Sequence, residues 1–257
     1  MDVLDLIVRK MIYVSLSTIP KRVKDLNKSI ESLLKQTKKA DKIFVNIPFK
    51  YRRFKETIDD NKIPKFDNSD VEITRCEDCG PGTKLLGSLD KFEKNSLVIL
   101  VDDDHVYEDY MIEKFFHFYS KAPNNAYSFY VHPLGKFGVG QGADGFAINT
   151  NYLNGIKEFY EKIIKDYKEL FMYDDLWISY FLYFFKKNKI LSLQEHLKKD
   201  NDGKRAVVSK ANSIMNFIAS GLVSTYGKNL IEAIRKRDEI AVESFNYMKK
   251  KTKGLSF

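Results

Sequence analysis

The chain has 257 residues, 44% of them hydrophobic and 30% charged, which is enough for one sizeable core and excludes wholesale disorder. Its formal charge of +8, from 43 Lys and Arg against 35 Asp and Glu, suits anionic partners without naming one. With only two cysteines, a small disulfide-stapled scaffold is excluded too.

Residues 1–10 carry Asp2 and Asp5 and no long apolar stretch, so they do not read as a secretory signal. No apolar run approaches the roughly 20 residues of a membrane span. The expected location is therefore cytoplasmic. The run 11–17 (MIYVSLS) reads as a buried strand, and Val23, Leu26, Ile30, Leu33 and Leu34 recur at helical spacing after it. Thr18 is the expected cap of that helix, with Pro20 in its first turn. A second strand is expected over 42–47 (KIFVNI), a polar stretch with a short helix over 50–70, and a third strand over 71–75.

Cys76-Glu77-Asp78-Cys79 leads into a Gly-Pro-Gly turn and a short helix from Thr83 to about Leu89. A lone CxxC with no second pair reads as two ordinary thiols. Residues 97–101 (LVILV) form a continuous apolar run of the kind found in the middle of a parallel sheet. Strand and helix alternate to this point, which predicts an α/β fold with a mostly parallel, open sheet flanked by helices. In such sheets ligands bind beyond the carboxyl ends of the strands.

The second half predicts strands over 127–132 and 145–149 around a glycine-rich stretch, then helices over 152–166 and 174–186. A last strand over 189–193 and a C-terminal helical segment over 207–250 complete it. The domain division is 1–206, with halves at about 11–105 and 106–206, followed by a helical extension over 207–257 packed on the same domain.

The chemistry is concentrated in acids. Asp102-Asp103-Asp104 directly follows the LVILV strand. Alternate carboxylates of an extended segment point the same way, so Asp102 and Asp104 can share one hard divalent cation, which would also neutralise a diphosphate. An acidic loop capping the next helix explains the same residues. Asp174-Asp175 opens an apolar helix, where acids are favoured by the helix dipole alone. Asp144 sits in a Gly-Ala-Asp-Gly segment that reads equally as a tight turn.

Taken in order, VSLSTIPKR, KIFVNIP, CGPGTKLL, VDDDH and YDDLW resemble a GT-A glycosyltransferase similar to family 2, within the nucleotide-diphospho-sugar transferases. The resemblance spans about residues 11–193. It implies a metal-dependent transferase that moves a sugar from a nucleoside-diphosphate sugar, with UDP-sugar favoured, to a hydroxyl acceptor with inversion. The acceptor would be a glycan, a lipid-linked species or a protein. Mn2+ or Mg2+ would be the cofactor, held by Asp102 and Asp104 with a late His, for which His196, His132 and His105 are candidates and His196 the first choice. Ser15, Ser17, Thr18 and Asn46 would contact the base and ribose. Arg22 and Lys84 would meet the diphosphate, Asp102 and Asp103 would border the donor, and Asp144 would bind a sugar hydroxyl. Asp175 would be the general base with Asp174 beside it, where the family pattern has Glu.

Two rivals stand beside this reading. A nucleotidyltransferase would share the sheet and the carboxylates but calls for a glycine-rich loop after the first strand, which VSLSTIPKR lacks. A non-catalytic basic module would bind nucleic acid or sugar, but it gives no reason for three acids at a strand end. No nucleic-acid partner is expected. The basic C-terminal segment suits peripheral docking on a membrane as well as packing on its own domain.

Overall fold

The computed structural model describes residues 10–196 and 229–257. Strands β1 (Ile12–Ser17), β2 (Lys42–Pro48), β3 (Val71–Cys76) and β4 (Leu97–Leu100) pair in parallel in the order β3-β2-β1-β4. Beyond β4 come β8 (Phe146–Asn149), β5 (Asn125–Ser128) and β9 (Lys189–Ser192). β8 runs antiparallel to both neighbours, and β5 and β9 resume the direction of β4. A separate hairpin joins β6 (Val131–Leu134) to β7 (Phe137–Gly140). The result is a seven-stranded, mostly parallel sheet, which is the GT-A, Rossmann-like architecture implied by the resemblance.

Side chains alternate across the sheet, so each strand feeds two cores. Val14, Leu16, Ile99 and Val101 face α1 (Leu26–Leu34) and α3 (Met111–Lys121), where Leu26, Ile30, Leu33, Met111, Phe115 and Tyr119 pack against them. Tyr13, Phe44, Val98 and Leu100 face the opposite layer. That layer holds α2 (Thr83–Leu86), α4 (Ile156–Phe159), α5 (Lys168–Phe171) and α6 (Asp174–Lys186). All four residues of β4 are buried, and burying each such side chain contributes about 1.5–3 kcal/mol.

α6 spans the predicted residues. Asp174 and Asp175 occupy its first turn and Lys186 its last, each favoured by the dipole there. Its run Leu176–Leu182 is buried throughout, so the helix is a central packing element rather than a surface one. Trp177 belongs to that core: it is fully buried and its ring lies 5.7 Å from that of Tyr160.

The C-terminal helix α7 (Leu230–Lys251) joins the core on the α6 side of the sheet through Ala241 and Met248, and the Phe245 ring stacks on Phe137 at 5.5 Å. Residues 198–206 and the part of the expected helix before 229 lie outside the described residues. No helix among the described residues is long and apolar enough to cross a membrane.

Three local expectations are corrected. The helix after β1 begins as a 3-10 turn (Val23–Asp25) and becomes α-helical at Leu26, so Thr18 caps nothing and instead lines a cavity. The helix expected over 152–166 starts at Ile156, after Gly155 at φ +83°, and passes into a π-helical turn over Tyr160–Ile164. The strand expected over 127–132 is two strands, because the chain leaves the main sheet after Ser128 to form the β6–β7 hairpin.

Candidate active site

A cavity of about 230 Å³ opens at the carboxyl ends of β1 and β4, where the neighbouring crossovers diverge. Four segments wall it. The β1–α1 connection brings Ser17, Thr18 and Arg22, and the turn into α2 brings Gly80, Pro81, Thr83 and Lys84. Asp102 and Asp103 come from the end of β4, and Asp174 and Asp175 from the first turn of α6.

The Asp102–Asp104 run is a turn rather than the extended segment expected from sequence. The Tyr107 hydroxyl accepts from the Asp102 N–H at 2.9 Å and donates to the Ala143 carbonyl at 3.0 Å, fastening this turn to the β7–β8 connection. From α1, the Ser29 hydroxyl lies within hydrogen-bond range of the Asp103 and His105 carbonyls. The turn still gathers ligand-type groups: atoms of Asp102, Asp104 and His105 lie within 4.8 Å of one another. Two carboxylates and one imidazole form a mostly hard donor set that fits Mn2+ or Mg2+.

These acids are already paired with cations. Lys84 Nζ lies 2.5 Å from Asp102 Oδ1 and 3.3 Å from Asp174 Oδ2. Arg22 Nη1 pairs with Asp104 and lies 3.2 Å from Asp103 Oδ1. His105 Nδ1 meets Asp104 Oδ1 at 2.9 Å. Burial pulls the Lys84 pKa down, but the surrounding Asp102, Asp174 and Asp175 outweigh it, so the ammonium stays charged. Burial pushes Asp103 up to about 6, against the pull of Arg22. Asp104 goes the other way, to about 2, because bonding to His105 and the charge of Arg22 overcome its burial.

Asp174 and Asp175 are both raised, first by burial. For Asp175 the next cause is the neighbouring Asp174 charge, and its pKa lies well above the ordinary carboxylate value. The Gly142 N–H donates to Asp175 Oδ1 at 3.0 Å and fixes its orientation. A methyl at position 142 would meet that oxygen at 3.0 Å and Lys84 Nζ at 3.1 Å, so any side chain there would crowd both groups.

Of the residues expected at a site, Ser17, Thr18, Arg22, Lys84, Asp102, Asp103, Asp174 and Asp175 line the cavity. Ser15 and Asn46 do not. Both are fully buried: Ser15 Oγ donates to the Lys84 carbonyl at 2.6 Å, and Asn46 Nδ2 donates to Ser15 Oγ and the Leu16 carbonyl, each at 2.9 Å. They fasten β1, β2 and α2 together instead of reaching a base.

Asp144 is buried behind the cavity wall, pushed up to about 6 by its burial, with His105 as the nearby compensating charge. His196 packs its ring on Phe118 of α3 at 4.5 Å, and the ligand-type group takes His105 in its place. His132 lies 3.9 Å from Asp238 of α7, apart from that group. Cys76 and Cys79 are free thiols, raised by burial to about 12 and about 11.

Sequence reasoning missed Tyr51, Arg53 and Asp78, which also line the cavity. The Tyr51 hydroxyl donates to the Thr18 carbonyl at 2.9 Å. Asp78 Oδ1 accepts from the Gly80 N–H at 2.9 Å and so shapes the turn into α2. The available signal was position: Tyr51-Arg52-Arg53 comes just after β2, on the rim where ligands bind.

No family model and no curated protein matches the sequence. Among solved structures, the fold is similar to residues 1–349 of S. aureus TarS, at 15% identity and TM-score 0.47, covering 93% of this chain and 72% of that one. TarS has also been solved with UDP and with UDP-GlcNAc. The mannosyltransferase PcManGT from Pyrobaculum calidifontis, in complex with GDP-Man and Mn2+, is similar at 10% identity and TM-score 0.48, covering 97% and 77%. The Francisella tularensis 2-C-methyl-D-erythritol 4-phosphate cytidylyltransferase (IspD) is similar at 11% identity and TM-score 0.46, covering 81% and 99%. Each is a likeness of fold at low sequence identity.

Proposed function

We propose that the chain is a metal-dependent glycosyltransferase that takes a sugar from a nucleoside-diphosphate sugar and passes it to a hydroxyl acceptor with inversion. One observation carries this reading: a single cavity has Asp102, which belongs to the carboxylate–imidazole group, on one wall and a carboxylate of raised pKa, Asp175, on another, with the cations Arg22 and Lys84 lining it as well. A diphosphate needs the cations and the metal, and an acceptor hydroxyl needs the base.

Asp102, Asp104 and His105 would hold Mn2+ or Mg2+, which when bound neutralises charge on the diphosphate and on the departing nucleotide. Arg22 offers a planar guanidinium to the same anion, and its Nε is buried with no hydrogen-bond partner among the described residues. Lys84 adds a buried positive charge where the leaving group departs, and a charge fixed before the reaction costs no reorganisation during it. Asp175 accepts the proton of the acceptor hydroxyl, and its raised pKa makes it a stronger base for that task than an ordinary carboxylate. Gly142 holds the receiving carboxylate in one orientation. Asp174 keeps Lys84 placed between the acid at the end of β4 and the start of α6. Ser17, Thr18 and Tyr51 form the wall left for the nucleoside, with uracil the favoured donor base.

The test is turnover with a panel of UDP-, GDP- and dTDP-sugars and simple acceptors, read by the products released. Glycosyl transfer releases nucleoside diphosphate, and proton NMR of the product shows an inverted anomeric centre. Release of pyrophosphate from a nucleoside triphosphate would point to nucleotidyl transfer instead.

A further inference from the structure

The carboxylates of the metal-ligand group are neutralised from two sides by cations of the chain itself. Arg22 reaches Asp104 and Asp103 from the β1–α1 connection, and Lys84 reaches Asp102 and Asp174 from α2. The two cations are held differently. The Lys84 side chain is 6% exposed and surrounded by acids, whereas the Arg22 side chain is 38% exposed on a surface connection. Lys84 is therefore fixed, and Arg22 is the one able to exchange partners.

Resting on the metal-and-nucleotide reading above, we infer that Arg22 is an internal placeholder for the divalent cation. It competes with the metal for Asp104 and gives way when an anion in the cavity draws its guanidinium off. A metal arriving alone must break the Arg22–Asp104 pair and leave two positive charges side by side. With an anion present, the guanidinium has somewhere to go. Metal and anion then assist each other, and such coupling is reciprocal by thermodynamic necessity. The arrangement keeps the acids of the turn partnered between turnovers and makes metal retention depend on the anionic ligand.

A general effect of positive charge would act similarly, but the cavity supplies a control. Arg53 lines the same space, with Asp78 as its charge partner rather than an acid of the 102–104 run. The experiment is titration of the full chain with Mn2+ alone, following loss of the free-ion electron paramagnetic resonance signal. Arg22→Met is expected to bind Mn2+ about tenfold more tightly than wild type, the gain when a partly buried charge pair need not be broken. Arg53→Met should stay within about twofold of wild type, as for a screened charge with no direct contact.

Equal or weaker Mn2+ binding by Arg22→Met, or an equal gain by Arg53→Met, overturns the inference while leaving the metal site standing. No Mn2+ binding by any of the proteins at millimolar ion overturns both. Circular dichroism melts confirm that each variant is folded. Arg22→Gln, which keeps a polar side chain, repeats the test if the methionine variant misfolds.

Discussion

Lys84 Nζ sits 2.5 Å from Asp102 Oδ1 and 3.3 Å from Asp174 Oδ2, so one buried ammonium joins the acid after β4 to the acid that opens α6. Two segments 72 positions apart in sequence meet through this cation. Its removal would leave Asp102, Asp174 and Asp175 close together without the cation that partners them. Lys84→Met is expected to destabilise the fold by about 3–5 kcal/mol, as for removal of one partner from a buried ion pair. Urea denaturation followed by tryptophan fluorescence checks this, since Trp177 of α6 is the one tryptophan of the chain.

The Asp175 carboxylate should matter for turnover and not for donor binding. Asp175→Asn keeps the shape and still accepts the Gly142 N–H bond, but cannot take up a proton. A loss of about 10²–10⁴ in kcat is expected, with donor affinity unchanged. For the same reason the wild-type rate should rise with pH well above the ordinary carboxylate range, because only the ionised form is active and burial raises its pKa. Steady-state rates across pH 5–9 give the profile; a rate already flat at pH 5 contradicts this role.

Asp144 makes a separate statement about stability. Its pKa is raised from 3.8 to about 6, chiefly by burial, so the folded state favours the neutral acid more than the unfolded state does. The sign follows from linkage: stability from this group is fully present below about pH 4 and is lost as pH rises through about 6. Asp144→Asn, which stays neutral, should therefore be more stable than wild type at pH 8, by about 1–3 kcal/mol. The difference should vanish near pH 4. Chemical denaturation at the two pH values measures it.

Asn46→Ala tests the structural role of a residue that sequence reasoning assigned to a base. The variant leaves Ser15 and Ser88 without their shared partner, as the Ser88 hydroxyl donates to Asn46 Oδ1 at 2.5 Å. A cost of about 1–3 kcal/mol in stability is expected, with donor affinity unchanged. A large loss of donor binding at normal stability would return Asn46 to the nucleotide pocket.

The sheet was largely legible because its strands carry their own signals. LVILV is too apolar and too short for anything but a buried central strand, and Asp174–Lys186 has both an acidic start and a basic end. The β6–β7 hairpin was not legible, since Pro133, Gly135, Gly138 and Gly140 mask its alternation, and Gly135 at φ +63° makes the turn between its strands. Asp102 and Asp103 were legible from their place just past β4, and Asp174 and Asp175 from the acidic start of α6.

Ser15 and Asn46 were misplaced because they lie within strands, where neighbouring α2 covers them. From β1 and β2 only Ser17 and Pro48, the last residue of each strand, reach the cavity. Tyr51, Arg53 and Asp78 were hidden for the opposite reason: they lie on irregular connections whose path only tertiary packing defines. The exchange of His196 for His105 has the same origin, because packing on Phe118 decides where the later histidine lies.

The central claim is that the acid turn at 102–105 and the cations facing it form one metal-assisted site for a nucleoside-diphosphate sugar. Thermal shift of the wild-type chain with UDP-, GDP-, CMP- and dTDP-sugars, each with and without Mn2+, tests it most directly, since a ligand that binds the native state raises its apparent stability. The predicted result is a rise in Tm that needs both one nucleotide sugar and Mn2+, and that disappears in Asp102→Ala. No shift with any donor at millimolar concentration, or a shift of equal size in Asp102→Ala, would contradict it.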